Sequence, residues 1–335
     1  MVPASQLMLF WGCSSYTFSV TITFLVRRIL TAFITLFLAA VMVFSALLIV
    51  PGDPVQLIIG LNNDPEQYRV LSEQLGLDKP PLERFWRWIA GLTQGDLGKS
   101  TSLAAPVKEL VFSRLPVTLP LIFASSLLAL LIALPAGIFA ARRKGTIFDL
   151  GTVLLTQIGL AIPSFWLGLI FILVFAVSLR WLPAVSSSVT WTENPISAFR
   201  NLILPVCTLA LGQAAGLVRM VRSSVLEVLS LDYVRTARGK GLLESVVIQK
   251  HVLKNAAIQI LTLIGIQLGQ LLAGAIIVES VFNLNGLGKL GLSAVKNSDF
   301  PLVQGVVISI ALMIVLINLI VDLLYGALDP RIRYD

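Results

Sequence analysis

The chain has 335 residues, 56% hydrophobic and 13% charged, against about 45–50% apolar and about 25% charged in a soluble domain. That excludes an ordinary soluble globular protein and leaves a polytopic membrane protein. The net charge of +7 rests on too few charges for a nucleic-acid binder and suits cytosolic loops facing anionic lipid. Cys13, Cys207 and the single His251 offer neither a disulfide framework nor a histidine metal cluster, so no metal and no catalytic Cys/His chemistry is expected.

A helix needs about 20 apolar residues to cross about 30 Å of hydrocarbon. Residues 1–28 contain no such run. Their apolar stretches, 7–11 and 18–25, are broken by Gly12, Cys13, Ser14 and Ser15, and no basic residue precedes Arg27 as a signal peptide would require. They read as a cytosolic or interfacial extension, or as an over-long start. Six runs then follow: 29–50, 118–141, 150–179, 202–221, 258–282 and 302–324. The fourth is interrupted by Pro205, Gln213 and Gly216, but omitting it would put the two charged ends of the chain on opposite sides. Arg27, Arg28, Arg142, Arg143, Lys144, Arg331 and Arg333 flank one side of this scheme, joined by six basic residues between Arg222 and Lys254. The opposing loops offer only Arg180, Arg200, Lys289 and Lys296. The positive-inside rule therefore predicts both termini, including the tail 325–335, in the cytosol.

Residues 51–117 form the one stretch of soluble-like composition and are expected outside the membrane. Asp64 is placed to cap a helix with Pro65 at its first position, Gln67 reaching back and Gly76 ending it. After Pro80 and Pro81, the spacing of Leu82, Phe85, Trp86 and Ile89 predicts an amphipathic helix with Glu83, Arg84 and Arg87 opposite. It either packs on the outer ends of the spans or meets a substrate or partner. Two glycine strings lack the setting for nucleotide binding. Gly286, Gly288 and Gly291 follow no strand, and Gly98-Lys99-Ser100 has Thr93 where a phosphate-binding loop needs glycine. The chain is expected to hydrolyse no ATP itself.

The cytosolic segment 222–257 is far longer than a connection between neighbouring spans needs. Ser230 is placed to cap a short helix, Asp232 to meet its positive end, and Gly239 or Gly241 to end it. A second helix from about Glu244 to Asn255 leads into the fifth span. Ala237 and Gly241, small and four apart, predict a face that enters a groove in a partner.

The string Asp232-Tyr233-Val234-Arg235-Thr236-Ala237-Arg238-Gly239-Lys240-Gly241, followed by His251, Leu253 and Asn255, resembles the coupling-helix signature of binding-protein-dependent ABC importer permeases, and more closely their dipeptide, oligopeptide and nickel group. The likeness runs from about Phe24 to Arg333. It includes Pro51-Gly52-Asp53-Pro54, Leu75-Gly76-Leu77-Asp78-Lys79-Pro80, Gly95-Asp96-Leu97-Gly98-Lys99-Ser100, Arg114-Leu115-Pro116, Gly286-Leu287-Gly288 and Leu328-Asp329-Pro330-Arg331. Gly239 stands where the family more often has alanine, and Gln259 and Asn285 where it usually has proline, which should straighten the chain locally.

The resemblance implies an all-α integral membrane protein with six transmembrane helices in the type I ABC importer permease fold and a cytosolic coupling helix. It also implies the first of two homologous permease subunits, working with two cytosolic ATPases and an extracytoplasmic solute-binding protein, with no cofactor. The cargo would be a di- or oligopeptide, a nickel chelate, glutathione or a related small solute. Asp232, Tyr233, Arg235, Thr236, Ala237, Arg238, Gly239, Lys240 and Gly241 would couple to the ATPases. Within the spans, Gln213, Gln267 and Gln270 either line a translocation path or hydrogen-bond between helices, while Glu279 and Asp322 lie near span ends, where they would reach the interface. A self-sufficient transporter or channel would explain the spans but leave the coupling segment idle and should show an internal repeat, of which none is clear. An intramembrane enzyme would need a nucleophile or metal constellation.

Overall fold

The computed structural model describes residues 22–49, 55, 65–74, 77–184, 191 and 194–328. The N-terminal stretch 1–21, Asp64, Gly76, the 51–54 motif, Arg331 and Arg333 lie outside these. Among the described residues the chain is helical, with one isolated antiparallel bridge between Lys99 and Pro106. The helices are α1 (Ile22–Ile49), α2 (Pro65–Gln74), α3 (Pro81–Thr93), α4 (Val107–Arg142), α5 (Ile147–Ala161), α6 (Ser164–Phe171), α7 (Pro195–Leu229), α8 (Asp232–Gly239), α9 (Leu253–Val281), α10 (Leu287–Lys296) and α11 (Phe300–Leu328). A π-helical turn extends α6 over Ile172–Ser178, and a second, Val247–Val252, runs into α9.

Among the described residues five helices are long and apolar enough to span a membrane, and a bent pair, counted as one span, brings the number to six. That pair departs from the expected continuous helix over 150–179. α5 and α6 meet at 95°, because Pro163 lacks an N–H and pushes Ile162 out of helical conformation, to φ −81° and ψ 118°. The interruptions expected in the fourth run instead sit inside the unbroken α7, whose most apolar stretch is 67% buried against 17% for α1 and α11. Pro205 and Gly216 are buried among neighbouring helices, and Gln213 is partly so. α7 also continues to Leu229, so the segment after Arg222 begins as helix rather than loop.

The centre of the bundle is a seam between α4 and α7. Ala129, Ala133 and Gly137 recur at four-residue spacing on α4 and face Ala210, Ala214 and Val218. A Cβ on Gly137 would stand 2.7 Å from Val221 Cγ1 and 2.9 Å from the Val218 carbonyl. Small residues let two backbones approach where lipid gives helices no hydrophobic reason to associate. α1 rides on α11, tied by an Arg28–Asp322 ion pair at 2.8 Å. Asp322 is thus paired to a neighbouring helix.

The outer segment closes over the end opposite α8. Phe85 of α3 is buried among Phe37, Phe44 and Trp88, with ring centroids 5.2–6.4 Å apart, so the predicted amphipathic helix packs on α1, and Trp86 and Leu82 remain exposed. Gly98-Lys99-Ser100 is a structural turn. Gly98 takes φ +83°, and the Ser100 hydroxyl donates to Asp299 Oδ2 at 2.6 Å. Gly286 and Gly288 are equally structural, since a Cβ on either would collide with Glu279 or the backbone of Ile276.

Candidate functional site

α8 begins without the expected cap. The Ser230 hydroxyl donates back to the Glu227 carbonyl at 2.6 Å, Leu231 holds the cap position, and Asp232 meets the positive end of the helix dipole. Gly241 ends it at φ +78°, its N–H donating to the Arg238 carbonyl at 2.9 Å, as the glycine stop predicts.

The faces of α8 are reversed from the expectation. Val234 and Ala237 point inward, 0% and 6% exposed, into a cluster with Ala141, Val221, Val225, Val228, Val247 and Val252. Ala237 is therefore covered by its own chain and presents no surface to a partner in this arrangement. Gly241 has nothing within 4 Å of its Cβ direction and serves the turn. The exposed face carries Asp232, Arg235, Thr236, Gly239 and Lys240.

Two polar clamps hold α8 on this base. The Tyr233 hydroxyl donates to the His251 carbonyl at 3.3 Å and accepts from Asn255 Nδ2 at 2.8 Å, while Asn255 also reaches the His251 carbonyl. His251 thus contributes its backbone carbonyl to this clamp. Arg238 grips Glu244 bidentately, Nε to Oε2 at 3.0 Å and Nη2 to Oε1 at 2.7 Å. The Arg238 hydrogen bonds hold the Glu244 carboxyl below its ordinary range and push the Arg238 guanidinium up. Gln259, where proline was usual, lies inside α9 and donates to Glu227 Oε2 of α7 at 3.3 Å.

Deeper in the bundle, Gln213 and Gln267 come together on a small pocket, large enough for little more than a water molecule, with Ser126, Ala129, Leu217 and Ile264. Gln267 is 7% exposed, and its Oε1 has no hydrogen-bond partner. Gln270 stands apart, exposed on the outside of α9.

Three polar constellations escaped the sequence reading because their partners are far apart in the chain. Glu279, expected at an interface, is fully buried: Oε1 accepts from the Thr118 hydroxyl at 2.6 Å, Oε2 from the Lys289 N–H at 3.0 Å, and Thr118 accepts from the Leu287 N–H. It therefore caps α10 from α9. Asp299 binds the hydroxyls of Ser100 and Ser102 and the N–H groups of Ser102 and Leu302. Burial pushes its carboxyl up, but these donors outweigh that and hold it below its ordinary range. The third is a buried Asp149–Arg222 pair, whose only signal was a lone acid opening an apolar run.

Comparison with known proteins accords with this arrangement. Residues 133–334 match the model of the binding-protein-dependent transport system inner membrane component, and residues 21–122 match that family's N-terminal membrane component. The glutathione transport system permease protein GsiC of Escherichia coli (strain K12) is 39% identical over 313 residues, covering 93% of this chain and 99% of that one. A protein of Brucella abortus (strain 2308), provisionally named a peptide transport system permease, is 38% identical over 315 residues, covering 93% and 99%. Among solved structures, the MetNI methionine ABC transporter in an inward-facing conformation shares the fold, with TM-score 0.54 and 19% identity over 66% of this chain and 96% of that one. The chain belongs to the permeases of binding-protein-dependent ABC importers, membrane-spanning transport subunits that are not enzymes and that operate with ATPase and solute-binding partners.

Proposed function

We propose that the chain is the first of two homologous permease subunits in a bacterial importer that carries di- or oligopeptides, or a related small solute such as glutathione, across the cytoplasmic membrane. The names of its relatives support the cargo class. The concentration of Arg28, Arg142, Arg143, Lys144, Arg235, Arg238 and Lys240 around the α8 end of the bundle supports placing that end, and both termini, in the cytosol. Two ATPases dock there, a solute-binding protein docks at the opposite end, and lipid and the second permease cover the apolar faces of the outer helices.

The observation that carries this reading is the construction of α8: one face is welded to α7 and α9 by Val234 and Ala237, and the other presents Asp232, Arg235, Thr236, Gly239 and Lys240, whose side chains, among the described residues, bond only within α8 itself, through a loose Arg235–Asp232 pair at 3.5 Å and the Thr236 hydroxyl donating to the Asp232 carbonyl at 3.0 Å. Such a helix passes a push from its exposed face directly into the bundle. ATP-driven closure of the ATPase dimer moves α8, and α7 and the near end of α9 follow through their shared cluster, opening a path past Gln213 and Gln267 alternately to each side. Gln270 faces the second permease. A photo-crosslinking amino acid at Thr236 in intact cells is expected to trap an ABC ATPase. Adducts to lipid alone, with the permease correctly inserted, would contradict the docking.

A further inference from the structure

At the α8 end of the bundle, three helices are locked together by a cluster to which the coupling mechanism assigns no part. Asp149, in the first turn of α5, is 3% exposed. Arg222 of α7 donates to both of its oxygens, Nε to Oδ1 at 2.6 Å and Nη2 to Oδ2 at 2.8 Å, and the Gly145 N–H donates to Oδ2 at 2.9 Å. Gly145 itself turns the chain at φ +79°, and the Arg143 guanidinium lies over Phe139 of α4 and Phe148 of α5, 4.6 and 5.0 Å from their ring centres. Farther along α5, Ala215 of α7 comes within 2.8 Å of where a Cβ on Gly159 would stand. α5 is therefore fastened to α7 near both of its ends. α7 in turn leads within two residues into α8, and Val225, Val228, Val234 and Ala237 share one apolar cluster.

Past Pro163 the contacts move along α7 and onto α9. Gly168 of α6 packs against Phe282 and Val281 at the far end of α9 and against Thr208, toward the far end of α7. The 95° break between α5 and α6 thus divides a helix fastened to the α8 end from one fastened to the opposite end. A bidentate guanidinium–carboxylate pair fixes orientation as well as distance, and burial makes loss of either partner costly. An apolar contact would let α5 slide.

We propose that the Asp149–Arg222 pair makes α5 part of the lever moved by α8, and that the Ile162–Pro163 junction is the hinge across which α6 stays with the far end of α9. Asp149 and Arg222 are positioning residues. The proposal rests on α8 being the docking element, and its test separates the two.

With Cys13 and Cys207 replaced by serine, the chain is spin-labelled on exposed positions at Ser223→Cys of α7 paired with Leu154→Cys of α5, and at Ser223→Cys paired with Leu173→Cys of the α6 extension. In nanodiscs with co-purified ATPases, ATP and vanadate are expected to leave the 223–154 distance unmoved and to shift the 223–173 distance by more than its nucleotide-free width. In the chain alone, Asp149→Asn is expected to broaden the 223–154 distribution, the paired reversal Asp149→Arg with Arg222→Asp to narrow it again, and Arg222→Lys, which keeps the charge but loses the fork, to fall between. Equal nucleotide shifts of both distances, or no shift of either, overturn the hinge. A 223–154 distribution as narrow in Asp149→Asn and Arg222→Lys as in the unaltered pair overturns the positioning role. Failure of the ATPases to co-purify defeats the docking reading only, because the measurements on the chain alone still decide whether the pair holds α5.

Discussion

Glu279 and Asp299 stand where an unpartnered carboxyl group would be costly, and each is tolerated because donors surround it. Gly286 is what lets Glu279 in: a Cβ there would lie 2.1 Å from the carboxylate carbon. Gly286→Ala is therefore expected to cost at least the ~1–3 kcal/mol typical of overpacking, read as a lower melting temperature of the purified chain. Asp299 sets an acid limit. Its folded carboxyl titrates below the ordinary Asp value of about 3.9, so its stabilising contribution is complete above that value and is lost as pH falls through the lower, folded one. Thermal unfolding followed between neutral and acid pH should fall away below about pH 4 in the unaltered chain, and less steeply in Asp299→Asn, which is the less stable of the two at neutral pH. At Ala237, 6% exposed, substitution by Trp is expected to destabilise the chain by ~1–3 kcal/mol, whereas Trp at exposed Thr236 should stay within about 0.5 kcal/mol.

At the scale of elements, the six apolar runs were legible because span length and composition are local properties. The break at Pro163 was not, because hydropathy reads straight through a proline flanked by apolar residues, even though Pro163 itself carries the backbone reason for the bend. α8 was legible as an element from Asp232, Gly239 and Gly241, but its orientation was misjudged. Small residues four apart define a face without saying what covers it, and here Val234 beside Ala237 turns that face toward α7. The Asp149–Arg222 and Thr118–Glu279 pairs are separated by 73 and 161 positions, beyond any periodicity argument. The α4–α7 seam yields its own prediction. Gly137→Leu would drive a side chain into Val221 and the Val218 carbonyl, so the helices must part. The variant should insert but lose heat resistance and become more sensitive to proteolysis at the α4–α5 turn.

Over the whole molecule, polar clamps hold the two ends of the bundle: Tyr233–Asn255, Arg238–Glu244 and Arg222–Asp149 at the α8 end, Glu279–Thr118 and Asp299–Ser100 at the other. The middle is a seam of small residues beside a small pocket bordered by Gln213 and Gln267. Clamped ends and a close-packed centre of small residues suit a subunit that rocks between two arrangements. The proposed orientation places Thr146, on the turn before α5, on the cytosolic side, so a cysteine there should resist an impermeant reagent added outside intact cells and react once the membrane is opened. The central claim is that the exposed face of α8 receives the ATPases. It is tested most directly by recovering ATPases with Gly239→Trp, Thr236→Trp and unaltered chains, each normalised to the permease inserted in the membrane. Recovery falling roughly five-fold to over a hundred-fold in both variants, the equivalent of ~1–3 kcal/mol, with unchanged thermal stability, is the predicted result. Undiminished recovery with both would contradict it.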